Sequence, residues 1–135
     1  MTDVGAVRVG VDLTTVSRFV KIAEHPRYRS LIFTAAELEQ AEQGGTGRRA
    51  ERLAGRFCVK EATCKLLGRG FGQGLRWRDI EVISDSWGAP VVTLHGGAAG
   101  LAAAAGLGGI SATITHQADL VVAVAAATTH PGGRP

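Results

Sequence analysis

A chain of 135 residues, 45% hydrophobic and 20% charged, has the length and composition of one globular domain with a single core. Neither two independent domains nor a disordered chain is expected on those grounds. The formal net charge is only +3, yet residues 1–78 hold 14 basic groups against eight acidic ones and the last 57 residues come to −3, so either a well-solvated basic face or a surface that meets an anion lies in the first half.

Residues 6–12 (AVRVGVD) alternate apolar with small or polar residues and predict a strand. Thr14 or Thr15 then offers an N-cap for a helix through VSRFVKIA to about Glu24, with Pro26 as its stop. Thr34-Ala35-Ala36-Glu37 is a capping box, which predicts a second helix up to Gly44-Gly45. The longest helix is predicted from about Arg48 to Leu67, ended by Gly68 and followed by the glycine-rich GRGFGQG. Asp79 to Asp85 and Pro90 to His95 alternate as strands around Ser86–Ala89, a hairpin pattern. A weak Ala/Gly helix is expected from about Ala98 to Ala105. Ile110 to His116 and Leu120 to Ala127 form a second strand pair around Gln117-Ala118-Asp119, and THPGGRP reads as a mobile tail. This order predicts one α+β domain over residues 1–128, with 129–135 as the tail.

The apolar run Leu120 to Ala127 is far short of the roughly 20 residues that span a bilayer, so no membrane segment is expected. Asp3, Arg8 and Asp12 interrupt the N-terminal apolar residues where a signal peptide needs an unbroken core, which points to a cytoplasmic protein. Cys58 and Cys64 fall on different faces of one predicted helix, a spacing that fits neither a mutual disulfide nor, without further cysteines, a structural zinc site.

Three features are costly for stability alone. Asp12 ends an apolar strand, where it either caps the next helix or ligates a hard cation. Lys60 and Glu61 sit among Phe57, Cys58, Val59, Ala62 and Cys64. Charges in such company must be paired or used. Glu61 and Lys65 have the favourable i,i+4 order, but Arg56 and Lys60 are like-charged at the same spacing, so pairing within the helix cannot satisfy every group. A stripe of Arg52, Arg56 and Lys60, with Lys65 beyond, suits a polyanion such as pyrophosphate. The third feature is Thr115-His116, a strand end beside a turn, where site residues often sit, although a lone histidine is more often structural. His25, His95 and His130 lack such context and read as surface residues.

Gly10-Val11-Asp12-Leu13 with Arg18, then Arg56-Phe57-Cys58-Val59-Lys60-Glu61-Ala62-Thr63-Cys64-Lys65, then Trp77-Arg78-Asp79-Ile80, Gly88-Ala89-Pro90 and Ala112–Gln117 occur in one order over about residues 5–127. Together they resemble the holo-[acyl-carrier-protein] synthase family, the small type of 4′-phosphopantetheinyl transferase. Two departures from the family pattern are Gln117, where a hydroxyl residue is usual, and Ala89, where a basic one is. The resemblance implies a single copy of an antiparallel sheet packed against a long helix. It further implies transfer of phosphopantetheine from coenzyme A to a serine of an apo acyl carrier protein, with release of adenosine 3′,5′-bisphosphate.

On that resemblance Asp12 and Glu61 would hold Mg²⁺, and Lys65 would neutralise a phosphate of coenzyme A. Arg56 and His116 would line the nucleotide pocket, Pro90 would lie against the adenine, and Lys60 would assist near the pyrophosphate. The serine proton would go to Glu61 or to a water on the metal. Arg18 would meet the acidic helix of the carrier protein. Because the larger transferases resemble two joined copies, a single copy is expected to form a homotrimer with coenzyme A between subunits. The competing reading is a non-catalytic module that binds a polyanion or the carrier protein. It leaves Asp12 and Glu61 unexplained, and with aromatic residues at 5% of the chain for base stacking no nucleic acid is expected as a partner, nor, with no long apolar run, a membrane.

Overall fold

The computed structural model describes residues 5–43 and 46–130. Five strands form one sheet in the order β1-β5-β4-β3-β2: β1 Val7–Thr15, β2 Ile80–Ser84, β3 Pro90–Leu94, β4 Ser111–Gln117 and β5 Leu120–Thr128. Every neighbouring pair is antiparallel, as an α+β domain built from hairpins requires. The two hairpins are in register at one position, Val91 opposite Ser111, so the sheet is broad at β1-β5-β4 and narrows toward β3-β2.

The helices are α1 Val16–Glu24, α2 Pro26–Ile32, α3 Ala35–Glu42, α4 Arg49–Leu67 and α5 Gly96–Ala104. Thr15 caps α1 by accepting from the backbone N–H of Arg18 at 3.4 Å. Asp119, in the turn between β4 and β5, clamps the same end: Ser17 donates to it from its N–H at 2.9 Å and from its hydroxyl at 2.6 Å. Asp12 is therefore not a cap. Pro26 ends α1 as expected but also opens α2, because a proline at the first helical position lacks only an N–H that would go unpaired there. The Thr34/Glu37 capping box forms in full. Gly68 stops α4 at φ 77°. The expected Gly44-Gly45 break and the tail over 131–135 lie outside the described residues. Thr129 and His130 are held by backbone bonds to Ala6 and Gly106.

The core lies between α4 and one face of the sheet, around Phe19, Phe33, Leu53, Cys58, Val59, Ile80, Val82 and the alternate β5 residues Val121, Ala123 and Ala125. Small residues on β5 let α4 settle close to the strands. Gly10 sets the closest approach: a Cβ there would stand 1.8 Å from the carbonyl oxygen of Ala62. The opposite face of the sheet is bare in the single chain. Val7, Val9, Val11 and Leu13 on β1 are 65%, 56%, 49% and 58% exposed.

Candidate active site

The contact at Gly10 determines what Asp12 meets. Side chains alternate along a strand, so Asp12 points to the same face as Gly10 and comes to rest against α4. There its Oδ1 accepts from Lys65 Nζ at 3.2 Å, and Lys65 Nζ also donates to the Val11 carbonyl at 2.9 Å. The Cys58 thiol donates to the Asp12 carbonyl oxygen at 3.2 Å and to Oδ2 at 3.6 Å. Burial, followed by the Asp12 charge, pushes that thiol up to about 12, so it acts as a neutral donor.

Glu61 lies beside this cluster. Burial first and then the negative charge of Asp12 raise its pKa, against the pull of Lys65 and Arg18. Two carboxylates close enough to raise one another's cost of ionisation are a donor set for a hard cation. Among the described residues no third His, Cys, Asp or Glu joins them, so a cation held here would take its other ligands from water and substrate oxygens. The residues present therefore fit Mg²⁺ held by Asp12 and Glu61.

Lys65 sits here as expected, although its ion pair goes to Asp12 rather than to Glu61 four residues earlier. Arg18, exposed on α1, is close enough to bias Glu61 and so borders the same pair.

A second locus lies further back along α4. Arg56, Pro90 and His116 line a cleft of about 260 Å³ together with Arg52, Ser84 and Ile114. His116 Nε2 lies 3.0 Å from Glu51 Oε1. The Arg56 guanidinium is 5% exposed and already donates to the carbonyls of Val82 (3.2 Å) and Arg52 (3.3 Å), to Ser84 Oγ and to Gln40 Oε1. It shapes the cleft wall more than it offers free donors. Burial lowers its pKa.

Lys60 is not brought to either locus. It is fully buried, donating to Glu37 Oε1 at 2.9 Å and to the carbonyls of Trp77 (3.0 Å) and Ile80. Glu37 in turn accepts from the N–H groups of Thr34 and Val82. The expected role at a pyrophosphate is corrected to a structural one, and with it the idea of one basic stripe along α4. Adjacent helix positions are rotated by about 100°, so Glu61 faces β1 while Lys60 faces the core under η2, the short 3-10 turn Trp77–Asp79.

The sequence profile of the 4′-phosphopantetheinyl transferase superfamily matches residues 8–125. The chain belongs to this superfamily. A holo-[acyl-carrier-protein] synthase of Desulforudis audaxviator is 41% identical over 123 residues, 88% of this chain and 90% of that protein. One of Solibacter usitatus is 38% identical over 119 residues, 87% and 94% of the two chains. Among solved structures, the Chronobacterium ammoniagenes ACPS-CoA complex superposes with a TM-score of 0.78 at 28% identity, covering 93% of this chain and 98% of that one. Within the superfamily match fall Asp12, Arg18, Arg56, Glu61, Lys65, Pro90 and His116.

Three features escaped the sequence reading: helix α2, Cys58 as a donor to Asp12, and His95, whose Nε2 lies 3.2 Å from Glu81 Oε1 at the edge of a large cleft. Pro26 at a helix start was the available signal for α2. Nothing local marks the other two, because their partners are 46 and 14 residues away in sequence.

Proposed function

We propose that this protein is a holo-[acyl-carrier-protein] synthase, transferring 4′-phosphopantetheine from coenzyme A to a serine hydroxyl of an apo acyl carrier protein and releasing adenosine 3′,5′-bisphosphate. The observation that carries the reading is that β1 and α4 bring Asp12 and Glu61 near enough for each carboxylate to feel the other's charge, with Lys65 on Asp12 and Arg18 in reach of Glu61. A passive polyanion-binding module has no use for two neighbouring carboxylates in costly settings. In the reaction a bond forms between the serine oxygen and the β-phosphorus as the bridging P–O bond breaks. Mg²⁺ held by Asp12 and Glu61 would supply charge neutralisation at that pyrophosphate. Lys65 binds a phosphate oxygen beside the pair, and Glu61, made more basic by burial and by Asp12, takes the serine proton. Arg18 receives the acidic carrier protein next to the reacting atoms.

The nucleotide end of coenzyme A belongs in the cleft of Arg56, Pro90 and His116. On α4 Arg56 and Glu61 point about 140° apart, so one chain does not present both to a single ligand. A homotrimer in which the cleft of one subunit faces the carboxylate pair of its neighbour resolves this, and the bare β1 face supplies the contact surface. Two free thiols fit a cytoplasmic setting. The test is incubation with coenzyme A, Mg²⁺ and an apo carrier protein, read by intact mass. One phosphopantetheine added per carrier chain is expected, abolished by Asp12→Ala or Glu61→Gln and by excess chelator. An unmodified carrier with the wild-type enzyme, or full turnover in both variants, refutes the reading.

A further inference from the structure

A cleft of about 750 Å³ lies apart from both the carboxylate pair and the nucleotide cleft. It opens between α2 and the glycine-rich segment that leads to η2, within the size range of small-molecule sites. Leu31, on the α2 lip, is 59% exposed, and Phe71, Leu75 and Trp77 continue the apolar wall. Trp77 stacks on Phe71 at 3.7 Å and 15°, and on Phe57 at 4.9 Å and 25°. Two rings this close to one indole can lie only on its opposite faces, so both faces of Trp77 are taken. The cleft offers ring edges and leucine methyl groups, which receive a flexible alkyl chain and have no free π-face for a nucleobase.

The rim is cationic. Arg76 has only a 3.7 Å contact with Asp79, whose other oxygen accepts from the Arg76 N–H. Arg78 also lines the cleft, and among the described residues its side chain makes no ion pair or hydrogen bond.

We propose that this cleft binds a free fatty carboxylate, its chain along Leu31, Leu75 and the edges of Phe71 and Trp77, and its carboxylate at Arg78 with Arg76 beside it. The unmatched positive charge selects a carboxylate over a neutral thioester or alcohol. Through Trp77 and Phe57 the ligand would bear on α4 one turn before Glu61. If the transferase reading holds, this is a place where the end product of carrier-bound chain building meets the enzyme that activates the carrier.

The test needs neither coenzyme A nor carrier protein, so its failure is separate from failure of that reading. Trp87 is 93% exposed, and Trp87→Phe leaves Trp77 as the sole tryptophan. Sodium decanoate titrated into this full-length variant, below its micelle concentration, should change Trp77 emission saturably. Arg78→Glu and Leu31→Glu should each weaken binding at least tenfold, with unchanged Tm, and decanol should bind at least tenfold more weakly than decanoate. A non-saturating signal, equal binding of decanol, or full binding by Arg78→Glu overturns the proposal. Saturation by decanoyl-coenzyme A but not by decanoate overturns it too, by assigning the cleft to a thioester.

Discussion

Lys60→Met separates a structural from a catalytic lysine at a position the sequence leaves open. Met keeps most of the stem volume and removes the ammonium. What remains is Glu37, fully buried, and two carbonyl oxygens, of Trp77 and Ile80, that have lost their donor. Removing one member of a buried ion pair costs about 3–5 kcal/mol because the other charge stays desolvated. For 135 residues the unfolding entropy near 60 °C is about 0.28 kcal/mol/K, so the expected fall in Tm is about 10–18 °C. Thermal unfolding by circular dichroism reads this directly. At a temperature where the variant is still folded, KM for coenzyme A should change less than twofold. Glu37→Gln should destabilise to a similar degree, and the double variant by clearly less than the sum, since each single change already breaks the pair. A Tm within 2 °C of wild type with a tenfold rise in KM would refute this assignment and return Lys60 to the pyrophosphate.

Glu61→Gln should raise the Tm of the metal-free protein at neutral pH. A folded pKa above the ordinary 4.5 means that wild-type stability falls as pH rises through the folded value, so the gain should vanish below about pH 4.5, where both folded and unfolded Glu61 are protonated. A gain that persists at pH 4 would contradict the shift. Gly10→Ala should cost about 1–3 kcal/mol and weaken Mn²⁺ binding measured by electron paramagnetic resonance, because the added Cβ must push β1 and Asp12 away from Ala62. Unchanged metal affinity would disconnect Gly10 from the site. Light scattering should give the wild type a mass of three times 14.0 kDa and the Val11→Asp, Leu13→Asp variant a single chain mass with loss of turnover, and a fully active monomer would end the shared-site argument. Arg18→Glu should raise KM for the carrier protein about tenfold or more while leaving that for coenzyme A nearly unchanged, and equal effects would move Arg18 into the nucleotide site.

The elements were legible where local chemistry fixes them. The Thr34/Glu37 box, Gly68 in the left-handed region and the alternation on either side of Ser86–Ala89 each depend on residues within a few positions of one another. Helix α2 was missed because Pro26 was read only as a stop, although the same fixed φ also starts a helix. The carboxylate pair was legible as two residue types in costly settings. Its assembly was not, since it depends on a missing side chain at Gly10 meeting a carbonyl 52 residues away.

Lys60 and Glu61 show where reading by motif stops. They are adjacent, oppositely charged and embedded in the same apolar run, so composition and spacing treat them as one feature. The helix turns them about 100° apart. On one side lies β1 with a second carboxylate, and on the other lies α3 with a capping glutamate that already holds two backbone N–H groups. Glu61 gains a like charge from Asp12 against the pull of Lys65 and Arg18, whereas Lys60 gains an opposite charge and is satisfied inside the chain. Which neighbour each side chain finds depends on how α4 is rotated over the sheet. That rotation is set by the packing of Gly10 on Ala62 and of Gly55 near Ile114, contacts made by residues with almost no side chain of their own.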